Sequence, residues 1–169
     1  MTAPLITLND GNAIPSVGLG VFQTPPQETE QAVSAALRAG YRHIDTASGY
    51  DNEREVGRAI AKSDIPREEI FVVTKLWNAD QGYHSTMKAF QKSAKRLGLD
   101  REGGYLDLYL IHWPVPAIGE FVDTWRAFGV VLRQFGDAQT ENRNDVVVIE
   151  RDGRRTLARR FCRRHLSFP

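Results

Sequence analysis

The chain has 169 residues, of which 41% are hydrophobic and 25% are charged, the composition of an ordinary soluble domain. This composition excludes a wholly disordered chain, a collagen-like repeat and a disulfide-rich scaffold. The 22 basic and 21 acidic residues leave a net charge of +1, so the overall charge does not favour nucleic acid or an anionic membrane as a partner. No apolar run reaches the length of about 18 residues that a membrane span needs, and the start, MTAPLITL, lacks the pattern of a secretion signal. We therefore expect a cytoplasmic protein, and the single cysteine, Cys162, agrees with a reducing compartment.

The charges are unevenly distributed along the chain. Residues 1–128 carry a net charge of −3, whereas residues 129–169 carry +4, and every basic residue of this second segment is an arginine. An arginine-dense segment can bind RNA or a membrane surface, but no aromatic platform accompanies this one. We expect residues 129–169 to be an atypical, poorly ordered tail, and a reading frame lost near Gly129 would explain its composition.

The first predicted element is a small β-hairpin. Two short apolar runs flank an Asn-Asp-Gly turn at residues 9–11, and Asp-Gly is a strong hairpin signal. A short strand is predicted at residues 17–22. Two prolines, Pro25 and Pro26, then indicate the start of a helix, and Gly40 stands where a glycine would end it.

The following segments repeat a strand–helix unit. Strands are predicted at residues 41–45, 70–75 and 106–112, and helices at residues 53–62, 85–97 and from about Val122 onward. The apolar runs FVVT and LDLYLI are typical of strands buried on both faces. We count four βα units around a parallel sheet, with an open flavodoxin-like sheet as the alternative. After Phe128 the pattern stops, and the only clear strand signal is at residues 145–150.

Three ionisable residues stand at the carboxyl ends of predicted strands, where parallel α/β folds place their active sites. These residues are Asp45, Lys75 and His112. Tyr50 lies in the loop after the first of these strands and can reach the same end of the sheet. Each residue alone has an ordinary structural explanation, such as a helix cap, a solvated lysine or a loop histidine. Their joint placement predicts a catalytic site.

This set of side chains suits the reduction of a carbonyl group. The Lys75 ammonium would stabilise the phenolate of Tyr50 and so make its hydroxyl a better acid. Asp45 would keep Lys75 charged and in place, and His112 would donate a hydrogen bond to the carbonyl oxygen. Because no side chain transfers hydride, the reaction requires a nicotinamide cofactor.

Other chemical motifs are weaker. The segment Gly18-Leu19-Gly20 lacks the third glycine of a dinucleotide fingerprint, and there is no Walker sequence. The four histidines do not have the spacing of metal ligands, and Cys162 lacks the context of a catalytic triad. We therefore predict no metal site.

Several segments resemble the aldo-keto reductase family position by position. GYRHIDTA at residues 40–47, with Glu53 and Val56-Gly57, resembles the first signature of the family. VTKLW at residues 73–77 and LIHWP at residues 110–114 resemble its motifs at the next two strand ends, and GLGVF at residues 18–22 resembles its opening barrel strand. The resemblance covers about residues 4–128 and is strongest to the bacterial reductases of the 2,5-diketo-gluconate type.

This resemblance implies a (β/α)8 barrel, a monomer, and NADPH-dependent reduction of an aldehyde or ketone to an alcohol. The implied catalytic residues are Asp45, Tyr50, Lys75 and His112, with Tyr50 as the general acid. The implied substrate-binding residues are Phe22, Trp77, His112 and Trp113. The implied cofactor-binding residues are Gly20, Val21, Phe22 and Asp45.

The sequence also departs from the family pattern. A complete barrel has about 250 residues, and only four of its eight βα units are present. We find no segment like the Gly-Val-Ser-Asn-Phe or Lys-Ser…Arg stretches that bind NADPH in the family, so most of the cofactor site is missing. We predict the N-terminal half of a barrel at residues 1–128 and the atypical tail at 129–169. An inactive fragment and a half-barrel acting by self-pairing or partner binding through its open strand edges stay as alternatives.

Overall fold

The computed structural model describes residues 3–8, 12–101 and 104–135, together with the strand residues 145–146, 148–152 and 155–159. It begins with the predicted hairpin. Strand β1 (Leu5–Thr7) pairs antiparallel with β2 (Ala13–Pro15), and Ile6 lies opposite Ile14. The Asn-Asp-Gly turn at 9–11 lies outside the described residues. The hairpin prediction is confirmed.

Four parallel strands then alternate with four helices. In chain order these are β3 (Leu19–Gly20), α1 (Pro26–Arg38), β4 (His43–Asp45), α2 (Glu53–Ala61), β5 (Phe71–Leu76), α3 (Tyr83–Leu97), β6 (Leu108–Ile111) and α4 (Phe121–Phe135). Each strand pairs in parallel with the next one along the chain. A flavodoxin-like sheet would reverse its strand order partway. The observed sequential order therefore selects the barrel arrangement, and the prediction of four βα units is confirmed.

The helix ends follow local rules of chain geometry. Helix α1 begins at Pro26, where a fixed backbone angle and a missing N–H cost nothing. Gly40 follows it with φ of 97°, and Gly98 ends α3 with φ of 71°. Both angles lie in the left-handed region that glycine adopts without strain. Helix α3 starts at Tyr83, two residues earlier than predicted, because Gly82 rather than Ser85 stands at its boundary.

The sheet is buried on both faces, as the apolar strand sequences predict. On the helical side, Val72 and Leu76 of β5 pack in one core with Val33, Val56, Phe90 and Phe128 from the four helices. Val73 lies on the other face with Leu108 and Leu110. Since side chains alternate along a strand, Lys75 shares the face of Val73. This alternation aims Lys75 into the interior of the barrel at the carboxyl end of the strands.

The segment after α4 carries three more strands. Strand β7 (Asp145–Val146) pairs in parallel with β6, and β8 (Val148–Asp152) pairs antiparallel with β9 (Arg155–Arg159). Residues 155–159 carry no clear strand pattern, although Asp152-Gly153 repeats the signal of the first hairpin. Helix α4 also continues past residue 128. The division of the chain at that residue stays a prediction. Among the described residues, no helix is long and apolar enough to cross a membrane.

Candidate active site

The strand register brings three of the predicted catalytic residues together. Asp45 pairs with Val73, and Lys75 lies two residues beyond Val73 on the same face. Lys75 pairs in turn with Leu110, and His112 lies two residues beyond Leu110. Each successive strand thus contributes a side chain that lies two register positions closer to the carboxyl end of the sheet than the one before. The result is a row of Asp45, Lys75 and His112 across the carboxyl end of the sheet.

The Lys75 ammonium is the centre of this group. Its Nζ donates to both carboxylate oxygens of Asp45 at 2.8 Å and to the Thr46 carbonyl oxygen at 3.0 Å. The side chains of Lys75 and Asp45 are 14% and 33% exposed, so the pair lies at the edge of solvent. The carboxylate and the carbonyl around the ammonium hold it in a fixed position.

Tyr50 reaches the same ammonium from a short 3-10 turn, Ser48–Tyr50, that follows β4. Its hydroxyl oxygen lies 3.4 Å from Lys75 Nζ, and Nζ lies 5.0 Å from the centre of its ring. The turn is held from both sides, since the Ser48 hydroxyl donates to the Lys75 carbonyl oxygen at 3.0 Å and the Tyr50 amide donates to Ala47. Of the four residues proposed as catalytic, Tyr50 is the one with an acidic O–H next to a cation.

His112 completes the group from the end of β6. Its ring lies edge-on to the Tyr50 ring at 5.5 Å and to the Trp77 ring at 5.3 Å. Burial lowers the pKa of His112, the charge of Lys75 lowers it further, and Asp45 opposes this change in part. The imidazole is therefore neutral near neutral pH. Its Nδ1 is buried, and it has no hydrogen-bond partner in the described part of the chain.

Three large aromatic side chains stand exposed around this group. Phe22, Trp77 and Trp113 are 64%, 40% and 53% exposed, and the Phe22 ring lies 5.1 Å from the Tyr50 ring. Trp77 packs on the backbone at Gly49, where an added Cβ would come within 2.7 Å of Trp77 Cζ3. Glycine beside Tyr50 therefore lets the indole lie close to Tyr50 and His112. Phe22 contacts Tyr50, Trp77 contacts His112, and Trp113 directly follows His112 in the sequence. Their role in a substrate site stays a prediction.

Two buried polar residues next to Tyr50 were not predicted to have a role in the site. Asn52 is fully buried and its side-chain amide binds groups of three other residues. Glu53 is buried in the α2 helix, where its carboxylate accepts from the Thr74 hydroxyl at 2.7 Å and from Arg96 at 3.3 Å. In the sequence, both residues stand out only as polar side chains at the start of a helix face that is otherwise apolar. Their partners are 6 to 43 residues away along the chain, and periodicity could not show them.

The residues predicted to contact the cofactor lie beside the group as well. Gly20 pairs with Asp45 in the sheet, and a Cβ placed on Gly20 would meet no atom nearer than Asp45 Oδ2, at 4.0 Å. Val21 is buried, and the Phe22 ring projects next to it. The missing side chain of Gly20 therefore leaves the Asp45 carboxylate uncovered on this side. No group of three or more His, Cys, Asp or Glu residues that could hold a metal ion is found among the described residues.

Comparison with known proteins decides the family. The sequence profile of the aldo/keto reductase family matches residues 16–131. The chain belongs to the aldo/keto reductase family. It is 58% identical over 156 residues to an aldo-keto reductase of Mycolicibacterium smegmatis, and the match covers 89% of this chain and 55% of that protein.

Solved structures of the family have the same fold. The crystal structure of an aldo/keto reductase from Brucella melitensis matches with a TM-score of 0.77 at 53% identity, over 89% of this chain and 54% of the other. A Bombyx mori aldo-keto reductase in complex with NADP matches with a TM-score of 0.71 at 40% identity, over 88% of this chain and 50% of the other. The predicted class, a partial (β/α)8 barrel with parallel strands and alternating helices, is confirmed. The chain spans about half the length of the relatives it matches.

Proposed function

We propose that this protein reduces the carbonyl group of an aldehyde or ketone to an alcohol with NADPH, and that Tyr50 is the general acid. The observation that carries the proposal is the position of the Lys75 ammonium, 2.8 Å from both Asp45 oxygens and 3.4 Å from the Tyr50 hydroxyl. A Lys–Asp ion pair alone would be structural. The tyrosine beside it supplies an O–H whose conjugate base the ammonium stabilises.

The chain's own residues then account for the transfer of the proton. The Tyr50 hydroxyl donates its proton to the carbonyl oxygen as the carbonyl carbon gains a hydride, which converts C=O to CH–OH. The phenolate that remains lies next to the positive charge of Lys75, and Asp45 holds that charge in place. Solvent returns a proton to Tyr50 after the alcohol leaves. The bound NADPH supplies the hydride.

His112 is suited to orient the carbonyl oxygen. Because its pKa is lowered, its neutral ring carries one N–H. A buried N–H without an acceptor is costly, and the buried Nδ1 has no acceptor in the described part of the chain. The proton is therefore more stable on Nε2. From there it can be donated to the same oxygen that Tyr50 protonates.

The substrate and cofactor would occupy the mouth formed by the exposed aromatic residues. We propose that Phe22, Trp77 and Trp113 contact the apolar part of the substrate. Gly20, Val21, Phe22 and Asp45 would hold the nicotinamide end of NADPH. That a Bombyx mori relative was solved in complex with NADP supports this choice of cofactor. The proposal includes a cytoplasmic location, which the single cysteine favours because disulfides are rare there.

Replacement of Tyr50 by phenylalanine tests the proposal. NADPH oxidation is followed with a panel of aldehydes, and NADPH binding is followed by its fluorescence. We expect Tyr50→Phe to lower turnover by about 10²–10⁴-fold, the usual contribution of a general acid, with NADPH binding retained. Tyr41→Phe is the matched control, since Tyr41 lies between α1 and β4, away from the site. Equal turnover in the two variants would contradict the proposal.

A further inference from the structure

Asn52 connects the separate segments that form the site. It is fully buried, and its Oδ1 accepts the Thr46 hydroxyl hydrogen bond at 2.8 Å. Its Nδ2 donates to the carbonyl oxygens of Val21 at 3.0 Å and of Thr24 at 3.2 Å. Both amide hydrogens and the amide oxygen are thus used. One buried side chain ties β4 and the loop after β3 to the start of α2.

Two of the residues that Asn52 binds, Thr46 and Val21, also contact proposed catalytic residues through other atoms. The Thr46 carbonyl oxygen accepts from Lys75 Nζ at 3.0 Å, beside the two Asp45 oxygens. The Val21 amide donates to the Asp45 carbonyl oxygen at 3.0 Å. Val21 and Thr24 also bracket Phe22, the aromatic residue next to Tyr50. Asn52 touches no reacting atom, yet it is one residue removed from Lys75, through Thr46, and from Asp45, through Val21.

The backbone on both sides of this network adopts unfavourable angles. Gln23, between the two carbonyls that Asn52 binds, has φ of 61°, and Asp51, directly before Asn52, has φ of 57°. Residues other than glycine rarely take these left-handed angles unless the surroundings impose them. The Asn52 amide binds the carbonyls on either side of Gln23 and so is positioned to hold the Gln23 angle. Without it, the Phe22 loop would have easier conformations available.

We propose that Asn52 is a positioning residue of the active site. Through Thr46 it fixes the third acceptor of the Lys75 ammonium, and through Val21 and Thr24 it fixes the segment that presents Phe22. The inference rests on the proposed function, in which Lys75 stabilises the Tyr50 phenolate. It predicts that loss of the network changes the ionisation of Tyr50 in a chain that is still folded, which a purely structural residue would not do.

The Thr46 side chain allows this to be tested with little change in shape. Thr46→Val removes the hydroxyl that binds Asn52, whereas Thr46→Ser keeps it. Thr86→Val is the matched control, because Thr86 is equally buried but lies in α3, with its hydroxyl directed to the Asp80 carbonyl oxygen. The readout is the alkaline titration of the Tyr50 phenol by ultraviolet absorbance, taken as the difference from the same protein carrying Tyr50→Phe.

We expect the titration midpoint to be higher in Thr46→Val than in the unmodified chain, because a looser ammonium stabilises the phenolate less. Thr46→Ser and Thr86→Val should keep the midpoint of the unmodified chain. Asn52→Ser should raise the midpoint at least as much as Thr46→Val, and it should also raise KM for the aldehyde, since it frees the Phe22 loop. If Asn52→Ser does not fold, the two Thr46 variants still decide the question.

An unchanged midpoint in folded Thr46→Val would overturn the inference. The titration needs neither NADPH nor turnover, so a failure of the positioning role can be told apart from a failure of the proposed reduction. If the midpoint moves but the chain oxidises no NADPH, the proposed reduction is wrong and the positioning role stands. If Tyr50→Phe abolishes turnover while the midpoint of Thr46→Val does not move, the reduction stands and the positioning role is wrong.

Discussion

Replacement of Lys75 by methionine removes the charge on which the proposed chemistry depends. Methionine is unbranched, with a reach similar to that of the lysine stem, so the packing of β5 changes little. The variant leaves the Asp45 carboxylate without its cation. It also leaves the Tyr50 hydroxyl without the ammonium that lies 3.4 Å away.

The distance sets the size of the expected effect. Unit charges 3.4 Å apart attract by about 5 kcal/mol at an effective dielectric constant of about 20, and by about 1 kcal/mol in bulk water. Lys75 is only 14% exposed, so the upper part of this range applies, and we expect a loss of about 3–4 kcal/mol of transition-state stabilisation. This loss corresponds to a fall of several hundred-fold in kcat, by about one power of ten for each 1.4 kcal/mol.

The assay is NADPH oxidation with saturating aldehyde, and the matched control is Lys62→Met. Lys62 is 68% exposed and bonds to Glu30 on the helical surface, so its replacement should leave kcat within about twofold. Circular dichroism establishes that both variants are folded. A Lys75→Met protein with the same kcat as Lys62→Met would refute the assigned role of the ammonium.

Three further predictions concern the surroundings of the site. Gly49→Ala should displace the Trp77 indole and raise KM for the aldehyde, and the added Trp77→Ala substitution should relieve the overlap and recover stability in thermal unfolding. The pKa of His112 is lower in the folded than in the unfolded chain, so between these two values the unfolded chain binds more protons. The contribution of His112 to the free energy of unfolding should therefore be fully present above about pH 6.5 and be lost as the pH drops through the folded pKa. His112→Gln should flatten the dependence of the free energy of unfolding on pH, measured by urea titrations at several pH values. Arg96→Met leaves the buried Glu53 carboxylate with Thr74 as a remaining partner, and should lower the free energy of unfolding by about 1–3 kcal/mol; an unchanged urea midpoint would count against it.

Much of the site was predictable because parallel strands end at one edge of a sheet. Asp45, Lys75 and His112 each stand at the end of a predicted strand, and this placement predicts that they converge. Tyr50 is less constrained by pattern, since a loop residue five positions after Asp45 can point in several directions. Its contact with Lys75 depends on the 3-10 turn that the Ser48 hydroxyl holds.

The Asn52 network was not predictable from the sequence. Its partners Val21 and Thr46 are 31 and 6 residues away and are bound partly through backbone atoms, which carry no residue-specific signal. Strand β9 was not predicted, for a different reason. Its arginines obscured the alternation of polar and apolar residues, although the preceding Asp152-Gly153 pair is a hairpin signal. Local chemistry therefore predicted the strand ends, while long-range polar contacts required the three-dimensional structure.

The most direct test of the proposed reaction follows the transferred hydrogen. The chain is incubated with an aldehyde and NADPH deuterated at the hydride-donating carbon of the nicotinamide, and the alcohol is analysed by mass spectrometry. The account predicts one deuterium on the carbinol carbon of each alcohol formed, with formation almost abolished in Tyr50→Phe. An absence of alcohol, or alcohol without the label, would contradict the assignment of hydride-dependent carbonyl reduction to this site.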